Sequence, residues 1–127
     1  MNRTSGFTLI ELLVVIAIMS VSLGIVGPLM SNQADKTRAI AEFNQAETYI
    51  RHSSKVAFLR GQSIRLVLDG KQLTRFVGDA EQQVKYEYLF FPAQQVQINA
   101  NGFYSQHDIV VQIGKKQQHI ILNPTDL

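Results

Sequence analysis

The sequence predicts an α+β chain. A long amino-terminal α-helix, membrane-spanning in its first half and amphipathic in its second, packs on an antiparallel β-sheet or two-sheet sandwich. Three observations carry this expectation. An apolar run from Phe7 to Met30 holds one charged residue, Glu11. A stretch with helical spacing follows over residues 31–60 and meets Gly61. Beyond Gly61 the apolar period switches from helical to two, and the segments are joined by short turns.

The apolar run comes first. As a helix rising 1.5 Å per residue, residues 7–30 extend about 36 Å, enough to cross a hydrocarbon core of about 30 Å with some tilt. The flank before the run carries Arg3 and no acidic side chain, so the positive-inside bias keeps the amino-terminal tail in the cytoplasm and sends the rest outward. Glu11 needs a reason, because an ionised carboxylate inside the membrane is a penalty unless something pairs with it. A secretory signal has an apolar core of about 7–15 residues followed by a small-residue cleavage site. Here the run is longer, and Ser20-Val21-Ser22 lies inside it.

Gly6 followed by Phe7-Thr8-Leu9-Ile10-Glu11-Leu12-Leu13-Val14-Val15-Ile16 resembles the class III signal of type IV prepilins and type II secretion pseudopilins. The resemblance implies a pilin-like fold and cleavage by a prepilin peptidase between Gly6 and Phe7, followed by N-methylation of Phe7. It makes Glu11 the acidic residue of assembly, and Gly24, Gly27 and Pro28 a helix break. Cleavage leaves an ammonium on Phe7, and when apolar helices stack, the ammonium of one subunit can meet the Glu11 carboxylate of a neighbour. Two charges that are costly apart offset one another, and a wrong stagger strands both, so the expected role is register and docking. Proline removes an intrahelical donor and disrupts the bond four residues back, so a kink or local unwinding is expected near Gly24, Gly27 and Pro28.

The implied organisation is a leader at residues 1–6, a transmembrane and assembly helix at 7–30, an amphipathic helix at 31–61 and an antiparallel β domain at 62–127. The partners implied are the prepilin peptidase, other pilins or pseudopilins, an inner-membrane assembly platform, and membrane lipid before assembly. The place implied is the bacterial inner membrane, crossed once, with the carboxy-terminal domain in the periplasm and later in a pilus or pseudopilus.

In residues 31–60, Ile40, Phe43, Ala46, Ile50 and Ala57 fall near one stripe, which Tyr49, Val56 and Phe58 broaden. Asp35, Lys36, Arg38, Glu42, Glu47 and Arg51 lie largely off it, and Glu47 and Arg51 form a pair at four-residue spacing. Gly61 is a natural stop. Six strands are then expected. Residues 63–68 alternate Ile64, Leu66 and Leu68, Asp69-Gly70 turns, and residues 71–77 return. A third strand is read over residues 84–91, stopped by Pro92, and a fourth over residues 94–98 before the turn Asn99-Ala100-Asn101-Gly102. Residues 108–113 and 118–122 flank Gly114-Lys115-Lys116-Gln117 as a final hairpin. The order of anchor helix, amphipathic helix and β-hairpins is similar to H-type minor pseudopilins and FimT-like minor pilins.

Composition narrows the chemistry. Net charge is +2, so the total demands neither nucleic acid nor an anionic surface. There is no cysteine, which excludes disulfides and zinc–thiolate sites. Many major pilins carry a carboxy-terminal disulfide loop, and its absence favours a pseudopilin or minor pilin. His52, His107 and His119 share no motif spacing, no serine sits in a Gly-x-Ser-x-Gly elbow, and no Gly-rich phosphate loop follows a strand. His107-Asp108 reads as turn polarity, and Asp79 with Glu81 is thin support for calcium. No enzyme, cofactor or metal is expected. The runner-up reading is a DNA-binding minor pilin of an uptake pilus, with Lys115 and Lys116 at a hairpin tip and Arg65 and Arg75 on the first hairpin. A membrane-anchored periplasmic binding domain comes third.

Overall fold

The structure, a computed structural model, describes residues 6–123, with nothing stated of the Leu29 side chain. Its elements are α1 (Leu9–Arg60) and six strands: β1 (Ile64–Gly70), β2 (Gln72–Val77), β3 (Ala80–Lys85), β4 (Leu89–Ile98), β5 (Asp108–Ile113) and β6 (Lys116–Ile121). The chain forms two compact units, residues 1–37 and 38–127.

In the first unit the described residues of the apolar run are exposed. Ser20 and Ser22 donate their hydroxyls to the carbonyls of Ile16 and Ile18 at 2.8 and 2.9 Å, so both hydroxyl donors are satisfied within the helix. Helical conformation continues through Gly24, Gly27 and Pro28. Of the kink or local unwinding expected there, unwinding is not present in the isolated chain, because intact helical turns on both sides outweigh the one bond that proline removes.

The second unit is a six-stranded antiparallel sheet in the order β3-β2-β1-β4-β5-β6, packed by the last part of α1. One sheet forms, not a sandwich. Its inner face supplies Ile64, Leu66, Leu68, Leu73, Leu89, Phe91, Val96, Ile98, Ile109, Val111 and Ile120, and the helix supplies Ala46, Ile50 and Ala57. The helical contact residues are mostly small, with Ser53 and Ser54 also buried among them. Ser53 returns its hydroxyl to the Tyr49 carbonyl at 2.8 Å, and Ser54 gives its own to the Gly102 carbonyl at 2.6 Å. Two members of the expected apolar stripe are not in the core. Ile40 is 60% exposed and Phe58 56% exposed, whereas Ala39 is buried. Each stands one residue, about 100° around the helix, from the line through Ala39, Ala46, Ile50 and Ala57.

The helix ends as its sequence suggests. Gly61 takes φ 61°, its N–H reaches the Phe58 carbonyl and that of Gln62 the Ala57 carbonyl, which is the Schellman pattern. The first hairpin turns on Gly70-Lys71, one residue later than Asp69-Gly70, since Asp69 pairs with Gln72. Gly70 carries the positive φ that a two-residue hairpin needs at its first central position, and Gly78 and Gly114 repeat this in the β2–β3 and β5–β6 hairpins.

The strand expected over residues 84–91 does not form as one piece. β3 ends at Lys85, the chain bends at Tyr86–Tyr88, and β4 begins at Leu89 and runs through Pro92 to Ile98. The bend is held from the helix: the Glu42 carboxylate accepts the N–H groups of Glu87 and Tyr88, both at 2.8 Å. Pro92 is tolerated inside β4 because the strand changes partners there. Leu89 and Phe90 pair with β5, while β1 pairs with Phe91 and again from Gln94 onward. Past the proline, the Gln94 amide stands in for the missing ladder, donating to the Val110 carbonyl at 2.7 Å and accepting its N–H at 3.2 Å.

Candidate functional site

The amino-terminal end of α1 is built by its cap. Thr8 precedes the first helical residue, its hydroxyl accepts the Glu11 N–H at 3.3 Å, and its carbonyl accepts the N–H groups of Glu11 and Leu12 at 3.1 and 3.2 Å. Thr8-Leu9-Ile10-Glu11 has the spacing of a capping box, with Glu11 at the third helical position. A carboxylate there also lies at the positive end of the helix dipole. Thr8 was missed by sequence reasoning, although threonine three residues before a glutamate at the head of an apolar run is its recognised signal.

The cap holds Gly6 and Phe7 outside the helix, and both are exposed. The peptide bond between them is therefore non-helical and exposed. A Cβ built on Gly6 would meet nothing within 4 Å, so the described structure does not itself require glycine at this position. The same holds at Gly24 and Gly27. Glycine inside a helix costs about 1 kcal/mol relative to alanine and proline about 3, so three weak formers close together are not explained by the isolated chain.

The cations grouped as a nucleic-acid contact are dispersed. Arg65 pairs across β1–β2 with Phe76, and its guanidinium lies 4.6 Å from that ring on the sheet face away from the helix. Arg75 pairs with Leu66 on the helix-facing side, where it lies 4.6 Å from the Tyr49 ring. Lys115 lies in the β5–β6 turn, which is Gly114-Lys115 and not the four residues 114–117, and Lys116 already opens β6 opposite Ile113; both lie beyond β4 and β1 in the strand order.

The remaining polar candidates behave as surface chemistry. Asp108 contacts His119 on the adjacent strand, at 2.8 and 2.9 Å from Nδ1, and both side chains are about half exposed. Among the described residues, no three His, Cys, Asp or Glu side chains gather as a metal site would require. Arg51 bonds Glu47 at 2.8 Å and also donates to the Ile121 carbonyl at 3.0 Å, tying α1 to the end of β6.

Among the described residues, one helix, α1, is long and apolar enough to cross a membrane. Residues 1–27 match the family model described as the prokaryotic N-terminal methylation motif. No curated protein and no solved structure matches the chain.

Proposed function

We infer, from the premise that this is a type IV pilin-like chain by its amino-terminal methylation motif, that it is a minor pilin or pseudopilin. It serves as a structural subunit of a type IV pilus or a type II secretion pseudopilus. The motif itself supports a pilin or pseudopilin processed by a prepilin peptidase. In the finer reading, cleavage falls between Gly6 and Phe7, Phe7 is N-methylated, and the chain waits in the inner membrane with its carboxy-terminal unit in the periplasm. It then joins other pilins or pseudopilins through an assembly platform.

The observation that carries this reading is the exposed, non-helical Gly6–Phe7 bond set directly before the capped apolar stretch of α1, whose described residues are exposed. Cutting there places the new ammonium four residues before Glu11, and the two charges are best paired between neighbouring subunits whose helices run side by side. Glycine at positions 6, 24 and 27, which nothing in the isolated chain demands, then has external reasons. Gly6 serves the peptidase, and Gly24 and Gly27 with Pro28 let the helix loosen when subunits pack.

Mass spectrometry of the native protein tests the processing step. The expected amino terminus is Phe7 bearing one methyl group, and an intact Met1 start or a terminus beyond Met30 would overturn the reading. Glu11→Ala tests the assembly step: membrane insertion is expected to persist while incorporation into filaments is lost. Unaltered incorporation would remove the docking role. No observation favours the nucleic-acid reading, since Arg65, Arg75 and the Lys115-Lys116 pair present no common surface.

A further inference from the structure

Arg75 is half-buried beneath α1, and its contacts fix it without neutralising it. Its Nε donates to the Gln82 side-chain oxygen at 3.1 Å and Nη2 donates to the same oxygen. Nη1 reaches the Ser53 hydroxyl at 3.3 Å, and the Tyr49 ring supports one face of the guanidinium. All of these partners are neutral. Each Nη nitrogen keeps one further N–H to give, and among the described residues no carboxylate lies within ion-pair reach of Arg75.

This guanidinium opens onto a cavity of about 140 Å³ between the end of α1 and the β2–β3 hairpin. Arg60 and His52 line it from the helix and Gln82 from β3, while Val56, Val77 and Ala80 supply apolar wall. No acidic residue lines it. A charge taken partly out of water without a counter-ion is costly, and a guanidinium already locked in orientation binds an anion with little further loss of freedom.

We propose that this cavity is a receptor for a single carboxylate, the aspartate or glutamate side chain of a partner protein, held by Arg75 and Arg60. The small volume admits one oxyanion head, and the apolar wall suits the methylene groups that carry a carboxylate. A nucleic-acid backbone, with phosphates repeating along its length, needs an open groove instead. The site is independent of the amino-terminal processing chemistry, and it stands or falls apart from the filament reading.

The test uses the full chain in detergent micelles, titrated with sodium acetate against chloride at constant ionic strength. The readout is the Nε–Hε resonance of Arg75. A saturable shift is expected with acetate and not with chloride. Arg60→Gln, which leaves the Tyr49–Arg75–Gln82 packing untouched, is expected to weaken binding about tenfold, the loss of one charge-assisted contact. Arg75→Lys, followed instead by the Arg60 Nε–Hε resonance, keeps the charge but loses the planar fork, and is expected to weaken acetate binding by about tenfold or more. The proposal is overturned if chloride produces the same shift, if Arg60→Gln binds acetate as the parent does, or if inorganic phosphate binds more than tenfold tighter than acetate.

Discussion

The two units of this chain use the same helical backbone in opposite ways. In the first, the described residues of the apolar run face outward and none finds a tertiary contact that buries it. In the second, the helix is completed by its own chain: Ala46, Ile50 and Ala57 are fully buried against the sheet. The first unit carries its information in its apolar run: the one carboxylate there, Glu11, the unexplained glycines and the exposed apolar surface. The second carries its information in what it closes. Substitutions should therefore act on assembly in one unit and on folding in the other.

The comparison breaks most visibly in the core. Phe91→Ala removes a fully buried ring that meets Tyr86 edge-on at 5.8 Å, and should cost about 3–5 kcal/mol in denaturant unfolding of the sheet unit. A loss below about 1 kcal/mol would mean that the sheet is not closed as described. Tyr86 gives a pH-dependent version of the same test. Burial, then the nearby Tyr49 and Glu42, push its phenol up to about 12 from 10.0. A folded-state value above the unfolded one means the proton is held more tightly when folded. Its stability contribution is thus complete below pH 10 and lost as pH rises towards 12, by about 2 kcal/mol at the upper end. Unfolding measured at pH 9 and pH 12 should show this loss in the parent and not in Tyr86→Phe.

Smaller effects sharpen the boundary. Gly61→Ala forces a side chain into φ 61° at the Schellman turn and should cost about 1 kcal/mol in thermal unfolding of the sheet unit. Leu13→Ala, at an exposed position of the first unit, should change that same unfolding by less than about 0.5 kcal/mol while lowering filament incorporation. A large effect of Leu13→Ala on the sheet unit would erase the distinction between the units.

Much of this was legible beforehand, for reasons that differ by region. The apolar run, its lone Glu11 and the Gly61 stop are local signals, and the alternation of Ile64, Leu66 and Leu68 marks an inner face without reference to any partner. Two errors were avoidable. The Thr8 cap has its own spacing signal, and the dispersal of Arg65 and Arg75 follows from parity. In a hairpin closed by a two-residue turn, residues on the same face of the two strands have opposite odd–even numbers, so two odd-numbered arginines lie on opposite faces. The division of residues 84–98 was not legible. Alternation through Val84, Tyr86 and Tyr88 looks like a strand, but distant groups turn the backbone there: the Glu42 carboxylate accepts the N–H groups of Glu87 and Tyr88, and the Lys71 ammonium donates to the Glu87 carbonyl.

By itself, then, the sequence determined the elements that depend on near neighbours: an apolar helix with one acidic residue, a glycine-ended amphipathic helix, the first and last β-hairpins and an amino-terminal methylation motif. Tertiary structure decided what depends on distant ones. It chose a single sheet, selected Ala39 and not Ile40 for the interior, carried β4 through Pro92 on the Gln94 amide, and set Arg75 among neutral partners beneath the helix. The physical reason is range. Capping, periodicity and turn chemistry act over a few residues, whereas which face is buried and which carbonyl meets which donor are fixed only when segments far apart in sequence come into contact.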